Sequence, residues 1–180
     1  MAWYKHPIFV CIVACIIPLL GGFGGSLLTD TSKDSWYGRL EKPVFNPPNW
    51  VNFHEFSFKR SNFTIVHFQV FFPAWTILYI AMGFASFRVW YKGGGFTGKA
   101  KIPLIFYVIQ LIINWIWTPV FFGAQALGWA FVVIVTMWVF IVATTWLFFR
   151  VDLIAGFCML PYIAWVTFAS VLNFSLWYLN

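Results

Sequence analysis

Gln110 and Asn114 stand four residues apart in an otherwise apolar run, with Trp117 three positions further on. On a helix that spacing puts all three side chains on one face. A carboxamide both donates and accepts hydrogen bonds, and in hydrocarbon it is costly unless partnered. The pair is therefore expected to face a protein interior. There it either ties helices together, at about 0.6 to 2 kcal/mol per bond, or orients a ligand. A second run carries Trp75, Tyr79, Met82 and Ser86 on one stripe, and a third carries Tyr162, Trp165, Ala169, Leu172 and Leu176. Each stripe alone reads as packing. Together they could line an aromatic pocket with a few hydrogen-bonding groups, the usual makeup of a site for a large, flat, apolar ligand.

The other chemical patterns lack a needed part. Gly93 to Lys99 reads GGGFTGK, but Ala100 stands where a phosphate loop needs Ser or Thr for magnesium, and no strand precedes it. A glycine turn between helices is the simpler reading. His6, His54 and His67 share no ligand spacing with each other or with Cys11, Cys15 and Cys158, so no metal site is expected. The apolar runs hold no Ser/His/Asp or paired-carboxylate arrangement, which leaves no catalytic residues for hydrolysis. Asn62-Phe63-Thr64 is a glycosylation sequon that matters only in a secretory lumen, and Asn173-Phe174-Ser175 lies within an apolar run.

The elements that must position these residues follow from composition. Of 180 residues 62% are apolar and 9% charged, against roughly 25% charged in a soluble domain. A net charge of +6 from 11 basic and 5 acidic residues is too scattered for nucleic-acid binding. Each membrane crossing takes about 20 mostly apolar residues. Five runs meet that length: Pro7 to Leu28, Phe68 to Trp90, Ile102 to Phe122, Leu127 to Phe149 and Leu153 to Tyr178. The first is too long for a signal-peptide core and lacks an A-x-A cleavage site. The expected fold is an all-α membrane protein, one domain over residues 1–180, built as a bundle of five transmembrane helices. Barrel strands would be about half that length and would alternate in polarity.

The last two connections are so short that their helices must be antiparallel neighbours. Residues 29–67 form the one large loop and hold four of the five acids. Basic residues divide six to five between the two sides, which leaves orientation open, and Arg88 near a helix end is expected to snorkel to headgroups. Gly21 and Gly25, like Ala81 and Ala85, would let helices approach closely, within the bundle or in a homodimer. Trp90, Trp129 and Trp177 near helix ends also suit an interfacial belt.

The run Trp36-Tyr37-Gly38-Arg39-Leu40-Glu41-Lys42-Pro43, followed by Asn46-Pro47-Pro48, resembles the first-loop signature WYxxLxKPxWxPP of the translocator protein family. Its members are also called tryptophan-rich sensory proteins or peripheral benzodiazepine receptors. Further matches follow in order: Pro73 to Tyr79 with Met82-Gly83, Gln110 to Gly123 (QLIINWIWTPVFFG), Pro161 to Trp165, and Leu172-Asn173-Phe174. The resemblance runs from about Pro18 to the end and is carried by motifs in several separate places.

The resemblance implies a five-helix membrane protein that binds cholesterol, porphyrins and synthetic ligands in a cavity closed by the first loop. Carried over by position, the ligand-binding residues would be Tyr37, Trp75, Gln110, Asn114, Trp129, Trp165, Ala169 and Leu172, to which the helical stripe adds Tyr79. The flat ligand would lie among Trp75, Trp129 and Trp165, with Gln110 and Asn114 orienting it. Porphyrin would be a ligand and no cofactor is expected. The function implied is transport or sensing of porphyrins and sterols. The alternatives are light- or oxygen-dependent porphyrin breakdown, with Trp75 and Trp165 as electron-rich participants, or a purely structural role. The turn Gly94-Gly95-Phe96-Thr97 is closer to animal members, which favours the mitochondrial outer membrane.

Four departures stand out. Phe45 replaces a Trp of the loop signature and Thr118 a Pro of NWxWPP. The C-terminal cholesterol motif lacks its basic residue after Phe174 and Tyr178. Residues 51–72, carrying Lys59-Arg60, form an insertion that would cap the cavity or extend the second helix. The rings thus divide into an outer belt and an inner group that grips a ligand.

Overall fold

A computed structural model describes residues 6–26, 35–44, 71–96 and 98–180. The second part of the loop signature (Asn46 to Pro48), Phe45, the Asn62 sequon, His54, His67 and nearly all of the 51–72 insertion lie outside the described residues. Within them the chain is helical, with no strand. Helix α1 is Pro7–Ser26, α2 is the short Trp36–Arg39, α3 is Phe71–Lys92, α4 is Lys101–Thr118, α5 is Leu127–Val151 and α6 is Leu153–Leu179. A π-helical turn, Pro119–Gly123, extends α4.

Local chemistry sets the ends. Pro7 opens α1, where its fixed φ suits the first turn and its missing N–H costs nothing. The Ser35 hydroxyl caps α2 by accepting from the Gly38 N–H at 3.1 Å. Pro119 cannot donate to the carbonyl one turn back, and the ladder passes into a wider register in which the Ala124 N–H reaches the Pro119 carbonyl at 2.9 Å. Between α3 and α4 the chain turns on Gly94 and Gly95, at φ +78° and +74°. Only glycine adopts that region without strain.

Among the described residues four helical stretches are long and apolar enough to cross a bilayer: Pro7–Gly25, Lys101–Gly123, Leu127–Val151 and Leu153–Leu179. Helix α3 is not among them, since Thr76, Tyr79, Ser86 and Arg88 interrupt its apolar character. The outer faces carry Ile8, Leu20, Ile77, Val132, Val139 and Val171, all exposed. That is the surface of an integral membrane protein, apolar where it meets lipid.

Packing follows a closed ring: α1 lies against α3, α3 against α6, α6 against α5, α5 against α4, and α4 returns to α1. The core at its centre is built from Met82, Ala85 and Val89 of α3, Tyr107 and Leu111 of α4, Ile134, Met137 and Ile141 of α5, and Met159, Tyr162 and Val166 of α6. The small residues of α1 serve this ring. A Cβ on Gly21 would meet the Trp115 ring at 1.9 Å, and one on Gly22 would meet the Tyr79 ring at 2.1 Å.

At the α1/α3 crossing a Cβ on Gly83 would lie 2.5 Å from both the Ala14 carbonyl oxygen and Cys15 Cα. These are backbone atoms, so only a helix shift could make room. Gly83→Ala is therefore expected to lower stability by about 1 to 3 kcal/mol despite the better helix propensity of alanine. Thermal unfolding in detergent checks this, and an unchanged or raised melting temperature would refute the close crossing.

Candidate functional site

Gln110 and Asn114 both turn into the ring, with Gln110 fully buried and Asn114 5% exposed. Asn114 is the node of a directed chain of hydrogen bonds. The Tyr79 hydroxyl donates to Asn114 Oδ1 at 2.9 Å, and Asn114 Nδ2 donates to the Tyr162 hydroxyl at 2.9 Å. The Tyr162 hydroxyl in turn donates to Gln110 Oε1 at 3.2 Å. Three helices, α3, α4 and α6, are joined by side chains that would otherwise be orphaned in an apolar interior.

Aromatic rings lie directly beside this chain. Trp75 packs on Tyr79 with centroids 5.3 Å apart and meets Tyr162 edge-on at 6.3 Å. Trp75 and Trp165 stand nearly perpendicular, 6.3 Å apart at 87°, and Trp165 continues to Phe168 at 5.9 Å. Both indoles are only partly buried, and Ala169 borders the same cluster.

Tyr37 and Leu172 belong to a second cluster, with Phe121, Ala130 and Leu176. Tyr37 reaches in from α2 and packs on Phe121 and Phe122 at 6.0 and 5.6 Å. Lys42 folds back with Nζ 4.9 Å from the Tyr37 ring centre and donates to the Gly38 carbonyl at 3.2 Å. Burial pushes the Tyr37 phenol up to about 12, so it stays neutral at physiological pH, and lowers the Lys42 ammonium below its ordinary value. The backbone of Glu41 is held to the end of α6, where its N–H donates to Asn180 Oδ1 at 2.9 Å and its carbonyl accepts from Asn180 Nδ2 at 3.0 Å. The two clusters meet at Trp117, which borders both and stacks on Phe121 at 4.9 Å.

Trp129 is placed elsewhere. It is 72% exposed on the outer face of α5, because the neighbouring Ala130 is the residue that turns inward and successive positions on a helix point about 100° apart. It does not join Trp75 and Trp165 in a three-ring sandwich. Trp90, which the sequence also allowed in an interfacial belt, packs partly buried against the core.

Arg88 is paired within the protein. Its Nε donates to Asp152 Oδ2 and its Nη2 to Asp152 Oδ1 at 3.3 Å, while Lys92 Nζ reaches the same Oδ1 at 2.7 Å. The Asp152 side chain is 4% exposed and also accepts from the Ala155 N–H at 3.3 Å, capping α6. The two cations hold this carboxyl well below the ordinary carboxylate range. Asn173, read from the sequence as part of a sequon and of a family motif but not as a structural node, accepts from Trp117 Nε1 at 3.2 Å and donates to the Leu127 carbonyl at 3.1 Å, joining α4, α5 and α6. Its place six positions short of the end of an apolar helix was the available signal, since an amide there needs partners. Among the described residues no group of His, Cys, Asp and Glu could hold a metal.

Comparison with known proteins matches residues 14–54 and 57–179 to the TspO/MBR family. The chain is 38% identical to a translocator protein of Homo sapiens over 162 residues, 90% of this chain and 85% of that protein. It is 41% identical to a tryptophan-rich sensory protein of Cereibacter sphaeroides over 157 residues, 87% and 82% of the two chains. A tryptophan-rich protein TspO of Chlorobaculum tepidum is 37% identical over 172 residues, 95% and 94% of the two chains. With nearly the whole chain matched and relatives from an animal and from bacteria aligned over most of their length, this protein belongs to the TspO/MBR family.

Proposed function

We propose that the protein binds flat, largely apolar ligands within its helix ring, porphyrins and other tetrapyrroles or sterols, and contributes to their transport or sensing. The observation that carries this reading is the perpendicular pair Trp75 and Trp165, partly exposed, set against the buried chain Tyr79, Asn114, Tyr162 and Gln110. Aromatic faces supply area for a macrocycle or steroid, and a short polar chain fixes its orientation. On this reading α3 is the fifth crossing, its 22 residues spanning about 33 Å, enough for a hydrocarbon core of roughly 30 Å. The short α2, bearing Tyr37, closes one end. The animal-like glycine turn supports residence in the mitochondrial outer membrane, which protease protection on isolated organelles checks.

The test is reconstitution with protoporphyrin, following tryptophan fluorescence and the porphyrin absorption band in darkness and in light. Saturable quenching with an unchanged band is expected, weakened about tenfold or more in Trp75→Phe/Trp165→Phe as two stacking contacts are reduced. Absence of saturable quenching would sink the ligand reading. A band that fades in light only while both tryptophans are present would favour porphyrin breakdown instead.

A further inference from the structure

Charge is unevenly divided between the two ends of the bundle. Where α3 leads into α4 and α5 into α6, the described residues hold five cations, Arg88, Lys92, Lys99, Lys101 and Arg150, against one acid, Asp152, a net +4. These groups share one end because Arg88 and Lys92 both reach Asp152, and the Ala100 N–H donates to the Gly93 carbonyl at 3.3 Å, bringing the start of α4 beside the end of α3. The opposite end holds Arg39, Glu41 and Lys42 among the described residues, a net +1. Asp152 is shared by Arg88 and Lys92 and has no charge left for the rest. Lys99, Lys101 and Arg150 are exposed and have no carboxylate partner among the described residues.

Aromatic side chains accompany these cations. Trp146, one turn before Arg150 on α5, is 59% exposed, and the guanidinium lies 5.3 Å from its ring centre. Phe96, between Lys92 and Lys99 in the chain, is 72% exposed at the glycine turn and packs on Trp90 at 6.4 Å. Rings beside basic groups suit a membrane–water boundary, where the rings lie against acyl chains and the cations rise among phosphates.

We propose that this end of the bundle binds the head groups of anionic phospholipids, with Lys99, Lys101 and Arg150 as the contacting cations. A free anion would meet the charges but leave the exposed rings nothing apolar to lie against. A zwitterionic head group carries its own cation, which largely cancels the attraction. Each basic residue at such a surface is worth about fivefold in lipid affinity, and salt screens the effect because the cations are exposed.

The test titrates the whole chain in a neutral detergent with phosphatidylglycerol and with phosphatidylcholine of the same acyl chains, and reads dissociation constants for the first bound lipid by native mass spectrometry. Wild type is expected to prefer the anionic lipid about tenfold or more in dilute ammonium acetate, and to lose most of that preference at about 0.5 M. In Lys99→Gln/Lys101→Gln/Arg150→Gln the ratio should fall to near one, while Arg39→Gln at the opposite end leaves it unchanged. Equal affinities in wild type, a preference that survives the triple substitution, or one that Arg39→Gln removes overturns the proposal. Glycerol phosphate, which has the charge without the acyl chains, should not displace the lipid; displacement would make this a free-anion surface and overturn the lipid as its occupant. If the triple variant does not fold, salt dependence in wild type decides, since a preference that salt leaves unchanged is not made by exposed cations.

Discussion

Asn114→Leu is expected to cost about 2 to 4 kcal/mol of stability, because it leaves two buried hydroxyls without the partner that joins them. Asn114 accepts from Tyr79 on α3 and donates to Tyr162 on α6, so a single substitution opens contacts on both sides of α4. Leucine is close to asparagine in size, so cavity formation is a small part of the loss. The expected loss comes from Tyr79, 8% exposed, and Tyr162, 1% exposed, neither of which can turn to water. Adding Tyr79→Phe and Tyr162→Phe to Asn114→Leu should therefore recover part of the loss, since both stranded hydroxyls are gone and only Gln110, which loses its donor Tyr162, is left without a partner. Thermal unfolding of the single and triple variants in one detergent measures both. A loss below about 0.5 kcal/mol for Asn114→Leu, or no recovery in the triple variant, would mean that the network contributes little beyond packing.

The second large effect is at the other end of the bundle. Asp152→Ala removes the shared partner of Arg88 and Lys92 and the cap of α6, and is expected to cost about 2 to 3 kcal/mol at neutral pH. The figure is held down because Lys92 is half exposed and re-solvates readily. Asp152 also imposes a pH dependence. Its carboxyl in the folded protein lies well below the ordinary value of 3.8, so the unfolded chain binds the proton more tightly. The stabilisation is then fully present above about pH 4 and is lost as the pH falls toward the lower folded value. Asp152→Asn should flatten the acid limb of the stability profile while leaving the inner network intact. Acid unfolding of Asp152→Asn that parallels wild type over that range would remove Asp152 from the account.

Helical character and the inward turn of Gln110 and Asn114 were both legible in the residues. The apolar runs are too long for strands, and a pair of amides four apart in hydrocarbon has only one affordable direction to face. Trp75, Tyr79 and Trp165 share the same cluster for a related reason, since Tyr79 needs an oxygen partner and fixes the face of its helix. Trp129 had no such anchor. Where the outside is lipid, the outer face of a helix is as apolar as the inner one, and the contrast that marks a buried stripe in a soluble helix disappears.

Sequence alone thus determined what this chain must be: a membrane protein built of helices, in the family its loop and helix motifs resemble, with a few polar groups that had to find partners. Which partners they found was decided by tertiary structure. Arg88 and Asp152 lie 64 positions apart, and a headgroup would have satisfied Arg88 as well as any residue the sequence could name. Tyr162 and Gln110 meet across 52 positions, a separation that no local pattern in the sequence spans. Composition and spacing set the cost of an unpartnered group, but only the ring order of the helices determines which group comes within reach to relieve it.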